Sequence, residues 1–208
     1  MGAYNGLGYE KDVVFIPQQM TLYAQHLGAD SHTLPDGTTT TKYILTRNLL
    51  PSDNYESEDY LNVSVSDTSE ALVIDQRFYW WEDVVGDMYL LGDFVPKARF
   101  GIAGDGTNAI YLTKVAFSIE ALDSGGTYSV VGSKTITFST PRSTSSSAFD
   151  VFDVMGIIKA GFQRFRMYKD FVLRVRAWGY VAAGTGNMRL YFSRGEDATY
   201  VIVNYEEG

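Results

Sequence analysis

From Phe171 to Val181 apolar and polar residues alternate along the chain. Phe171, Leu173, Val175, Ala177 and Val181 fall on one face, and Arg174, Arg176, Trp178 and Tyr180 fall on the other. Successive side chains of a strand point to opposite sides of its sheet, so this pattern predicts a half-buried strand. Ala182 to Asn187 is a turn sequence, after which Met188, Leu190 and Phe192 alternate with Arg189, Tyr191 and Ser193. A second turn at Arg194 to Asp197 leads to Thr199, Val201, Val203 and Tyr205. Three such strands joined by short turns predict a C-terminal meander, and its apolar face needs a second layer to cover it.

The same period recurs upstream. Strands are predicted over Asp12 to Ile16, Thr38 to Thr46, Tyr60 to Val65, Ala71 to Trp81 and Met88 to Val95, the last ended by Pro96. Further strands follow at Lys97 to Ile102, Tyr111 to Glu120, Tyr128 to Val131, Lys134 to Thr140 and Phe149 to Val154. Gly28 to Gly37, Pro51 to Asp59, Ala103 to Asn108, Asp123 to Gly126 and Pro141 to Ser147 carry turn or loop chemistry. Gly156 to Lys169 is the place for a short helix or an irregular crossover. About a dozen short strands without long helical periodicity define an all-β class, an antiparallel β-sandwich with a jelly-roll-like arrangement. Residues 1–10, glycine-rich and aperiodic, form a flexible, extended N-terminal arm, and residues 11–208 form a single β-sandwich domain. The core is expected to contain Leu173, Val175, Leu190, Phe192, Val201, Val203, Val115 and Phe117.

Charge narrows the function. A net charge of −8 argues against binding a phosphate backbone, which needs a basic surface, and against anionic membrane. The absence of cysteine removes disulfides and thiolate metal sites. The first ten residues lack the basic and apolar regions of a signal peptide, so synthesis in a cytoplasm is expected.

No motif supplies a catalytic constellation. His26 and His32 match no metal-ligand spacing and have no nucleophile motif beside them, so they read as surface or structural residues. Asp53, Glu56, Glu58 and Asp59 lack the mid-loop glycine of a calcium loop and read as solvated. Asp105-Gly106 is turn chemistry. No catalytic residue, cofactor or metal is predicted, and the expectation is that the chain is no enzyme.

The aromatics are more informative. With 15 Tyr, 12 Phe and 3 Trp, the chain holds more rings than one sandwich readily hides. Adjacent strand residues face opposite ways, so at most one of Trp80 and Trp81 can enter a single core. Trp178 and Tyr180 share the Arg174/Arg176 face, which is either covered by a second layer or used as an interface. Tyr4 and Tyr9 on the arm complete the candidate interface residues.

The segment Lys134 to Gly208 resembles the C-terminal β-sandwich segments of structural proteins of bacterial and archaeal viruses. The likeness is carried by Thr135 to Phe149, by Leu173 to Val181, and by Met188 to Gly195. It implies a virion component, whether capsid shell, decoration protein or tail fibre, synthesised in a host cytoplasm. The partners implied are copies of itself (a homo-oligomer) and other virion proteins, with aromatic-rich interfaces driving self-assembly. The rival is a carbohydrate-binding or receptor-binding sandwich that stacks glycan on exposed rings, and a glycan lyase or hydrolase ranks third.

Overall fold

A computed structural model describes residues 18–27, 30–34, 36–48, 60–80, 88–122, 125–159, 165–166, 171–192 and 199–207. The arm with Tyr4 and Tyr9, the acidic loop with Asp53 to Asp59, and Trp81 lie outside the described residues. In chain order the strands are β1 (Gln18–His26), β2 (His32–Thr33), β3 (Thr40–Thr41), β4 (Tyr43–Thr46), β5 (Tyr60–Val65), β6 (Ala71–Trp80) and β7 (Met88–Ala103). They continue with β8 (Ile110–Leu122), β9 (Tyr128–Thr144), β10 (Asp150–Met155), β11 (Phe165–Arg166), β12 (Phe171–Val181), β13 (Gly186–Tyr191) and β14 (Tyr200–Glu207).

The hydrogen-bonded path runs β5-β13-β7-β14-β1-β4-β6-β12-β8-β9, with β10 and β11 also paired to β7. Its two ends form opposing layers, β6-β12-β8-β9 against β5-β13-β7-β10, and β14, β1 and β4 join them along one side. The result is an all-β, sandwich-like fold, as the alternation predicts, and not a closed barrel. Pairing is antiparallel apart from β4 with β6, which run parallel through Ile44–Tyr79 and Leu45–Trp80.

The predicted meander is corrected. β12 lies between β6 and β8, β13 between β5 and β7, and β14 between β1 and β7, so these three strands are not neighbours. The turn after Val181 carries the chain from one layer to the other. Leu173 and Val175 therefore meet the core from the layer opposite Met188 and Leu190. Two strands that each present one apolar face can hide both faces by stacking, whereas lying side by side leaves both uncovered.

Two further boundaries differ. β7 does not stop at Pro96, which pairs with Val201, while its carbonyl accepts the Gly156 N–H at 3.0 Å. Gly92, at φ +73°, supplies the left-handed residue that lets so long a strand bend. β9 likewise runs through Pro141, read as a loop from sequence, because the strand bulges there. Between the Lys114–Thr137 and Leu112–Arg142 pairs, Phe138 to Pro141 stand opposite Thr113 alone. A proline in such a bulge breaks no ladder bond. In the 156–169 region, Phe94 and Ile158 exchange backbone bonds at 2.8 and 3.0 Å, and β11 pairs with β7.

The core follows the sequence closely. Leu173, Val175, Val115, Phe117, Leu190, Val201 and Val203 are fully buried, and Phe192 is 2% exposed. Phe78, Phe192 and Tyr43 meet edge-on at centroid distances of 5.7 to 6.0 Å.

Candidate association site

The outer face of β6, β12 and β8 is a ladder of side chains fixed by register. Arg174 stands beside Arg77 and Ser118, Arg176 beside Asp75 and Ala116, Trp178 beside Leu72 and Lys114, and Tyr180 beside Tyr111. Like charges opposite one another destabilise a sheet, so the Arg77–Arg174 pair needs carboxylates. Glu120 and Asp75 supply them. Arg174 donates from Nε and Nη2 to the two oxygens of Asp75 at 2.6 Å each, and from Nη1 to Glu120 Oε1 at 3.2 Å. Arg77 Nε donates to Glu120 Oε2 at 2.9 Å, and Ser118 Oγ donates to Glu120 Oε1 at 3.0 Å.

Glu120 is only 1% exposed because an apolar cluster flanks it, made of Leu34, Tyr79 and Val172 with Tyr128 against them. The Tyr79 and Tyr128 hydroxyls share a 2.7 Å hydrogen bond. Burial, then that bond, pushes the Tyr79 phenol above its ordinary value.

The hydrogen bonds from Arg174 hold Asp75 below the ordinary carboxylate range, against the opposing effect of burial. A folded pKa below the unfolded one means that the contribution to stability is present above the unfolded value, about 3.9. It is lost as the pH falls through the folded value. Asp75→Asn is therefore expected to lower stability at neutral pH and to flatten the acid limb of a urea-midpoint profile below about pH 4. An unchanged acid limb would remove Asp75 from this role.

At the other end of the face, Trp178 and Tyr180 are half-buried, and partners from their own chain engage them. Lys114 Nζ and the Arg176 guanidinium lie 5.0 and 5.5 Å from the Trp178 ring, and Tyr180 stacks on Tyr111 at 4.7 Å. Lys114 also donates to Glu70, which lowers the Glu70 pKa. Trp80 is corrected as an interface residue. It is fully buried in the core of its own chain, beneath Arg47, because the β6 register turns Ile74, Phe78 and Trp80 inward together.

The histidines and the Asp105 turn fall where expected. His32 is buried, and His26 packs against Tyr43 and Phe192. Asp105 accepts bonds from the Asn108 side-chain amide and from the N–H groups of Asn108 and Thr107, and these bonds lower its pKa. Among the described residues, no group of three or more metal-ligating side chains gathers.

Sequence reasoning missed a second surface. On the side of the sandwich away from β14, β1 and β4, the β9 and β10 edges are not hydrogen-bonded to each other. A groove of about 540 Å³ lies there, lined by Val95, Lys134, Met155, Gly156, Ile157 and Lys159. Five large hydrophobic residues of the described chain are exposed, and four of them, Val130, Val151, Met155 and Ile157, belong to β9, β10 and the residues just after it. Gly132 lets the two edges approach, since a Cβ there would stand 2.6 Å from Ile158 Cγ2. One signal was present in the sequence: Val151 and Met155 have the same parity as Asp153, on the side of the strand away from Phe152 and Val154.

No protein-family model matches the chain, and no curated protein matches its sequence. Solved structures resemble it in fold. An α-amino acid ester hydrolase matches at 12% identity over 89% of this chain and 36% of its own, with a TM-score of 0.53. A CocE/NonD family hydrolase from Staphylococcus aureus matches at 11% identity over 91% of this chain and 36% of its own, with a TM-score of 0.49. A chain of infectious bursal disease virus, Gx strain, matches at 9% identity over 90% of this chain and 57% of its own, with a TM-score of 0.29. The likeness to viral particles is thus weak and supports no argument. The expectation that the chain is no enzyme is overturned: that exclusion rested on the lack of a catalytic motif in the sequence, and the same fold makes up part of a hydrolase. The chain spans about a third of the length of the hydrolases it resembles.

Proposed function

We propose that the chain is an association module whose copies assemble through the open β9–β10 side of the sandwich, in the setting of a virion shell, decoration or fibre. The observation that carries this reading is the groove on that side, where Met155 and Ile157 are exposed at 55% and 53% beside Val95. Apolar side chains gathered around a groove are stabilised by leaving water, at about 25 cal/mol per Å² before ordering costs. The virion setting rests on the resemblance of residues 134–208. The face carrying Trp178 and Tyr180 is a further contact surface in this reading.

Sedimentation velocity over a range of concentrations tests it. Wild type is expected to associate at micromolar concentration, and the double variant Met155→Glu, Ile157→Glu to remain monomeric with an unchanged circular dichroism spectrum. A wild type that stays monomeric throughout refutes the reading.

One observation favours glycan binding as a second reading. The β9 bulge opens a hollow of about 470 Å³ lined by Phe138, Ser139, Thr140, Pro141, Arg142, Ser143 and Asp150. Hydroxyls, a cation, a carboxylate and a ring around one hollow suit a neutral sugar. Titration with a panel of neutral oligosaccharides checks it, and Asp150→Ala should abolish any binding found.

A further inference from the structure

Among the described residues, β9 is the last strand of its layer and pairs with β8 alone. Such an edge offers unpaired N–H and C=O groups to another chain, and proteins blunt their edges with bulges and prolines. Here the blunting is partial. The Phe138 to Pro141 bulge interrupts one end, and at the other Val131 is left over between the Val130–Glu120 and Gly132–Ile119 pairs. Gly132 to Thr137 between them pairs with Ile119 to Lys114 in unbroken register, a regular stretch flanked by irregular ones.

The two faces of this stretch differ. Lys134 pairs with Phe117 and Ile136 with Val115, so both lie on the inner face, beside the groove. Ser133, Thr135 and Thr137 lie on the outer face and are exposed. The groove wall opposite is apolar, with Met155 at 55% and Ile157 at 53% exposure. Two cations border it. Lys159 is paired with Asp93 at 2.7 Å, while none of the described carboxylates pairs with Lys134. On a chain of net charge −8, a groove bordered by lysines suits the acidic surface of another copy.

We infer that the β9 edge from Gly132 to Thr137 is a strand-addition site for an extended segment of a neighbouring copy, with apolar side chains in the groove and a carboxylate at Lys134. This inference rests on the association reading and gives it a mechanism. Main-chain bonds to the edge supply affinity, and the groove reads alternate side chains. The added strand covers the gap between the two layers.

Hydrogen exchange read by mass spectrometry, on the full chain below and above its association concentration, tests the inference. The edge-facing amides of Gly132 to Thr137, every second one, should exchange at least tenfold more slowly in the associated species. Lys134→Glu should weaken association about tenfold, and Lys134→Gln less. If the copies associate without protecting these amides, they meet through side chains alone, and strand addition is overturned while the association reading stands. Association unchanged in Lys134→Glu also overturns it. A wild type that never associates overturns both.

Discussion

Phe117→Ala should lower the unfolding free energy by about 3–5 kcal/mol, the range for removing a large aromatic from a core. The residue is fully buried on β8, opposite Val175 of β12 and Lys134 of β9. A Cβ built at Gly156 would lie 3.3 Å from the Phe117 ring, so the backbone after β10 is packed directly on that ring. The cavity is therefore bounded by rigid main chain as well as by movable side chains, and its collapse is limited. Urea unfolding read by tryptophan fluorescence measures the loss. A change below about 1.5 kcal/mol, the range of volume-conserving swaps, would mean that Phe117 is not a central core residue.

The second large effect is expected at Glu120. Replacing it with Ala leaves Arg77 without its carboxylate and Arg174 with Asp75 alone, and it strands the Ser118 hydroxyl. Breaking a fully buried pair costs about 3–5 kcal/mol. The two arginine side chains are 27% and 21% exposed, so water relieves part of the penalty. A loss of about 2–3 kcal/mol follows from that discount. Arg77 is also held 4.1 Å over the Tyr128 ring, so the hairpin end of β9 should loosen with it. Glu120→Gln keeps the shape and some hydrogen bonds, and should cost less. Equal losses for Ala and Gln would show that charge, not shape or bonding capacity, dominates at this position.

Alternation made the layers legible from the sequence. Every core residue named from period-2 patterning is buried, because a strand with one apolar face has only one stable way to turn. Strand order was not legible. Turn length suggested that β12, β13 and β14 were neighbours, but a short turn can pass between layers as readily as along one, and local sequence carries no record of which. Proline misled for a related reason. Pro96 and Pro141 looked like strand ends, yet Pro96 keeps its place in β7 opposite Val201, and Pro141 sits in a bulge, where no N–H is needed. Trp80 was half legible: parity showed that it and its neighbour must diverge, but only the β6 register placed Trp80 inside. The β9–β10 groove was hidden because its residues come from strands that meet only through the fold. Parity set Met155 apart from Phe152 and Val154, but Ile157 has no pattern of its own, and the exposure of both depends on β10 lying at an edge.

The pairing of β1 with β14 has a consequence for the order of events when the chain is made. Gln18 is held against Tyr205 and Leu22 against Val201, so a strand near one end of the sequence waits for one near the other. β14 is also what links β1 to β7, and so one layer to its opposite. On a ribosome, β6 with β8 and β12 can form before β14 emerges, but the apolar faces of β1 and β7 cannot yet be joined. Closure of the sandwich is then a late step, slowed by the entropy of so long a loop. Until that step, unpaired strands and apolar surface are open to other chains, and the protein passes through its most aggregation-prone state just before β14 docks.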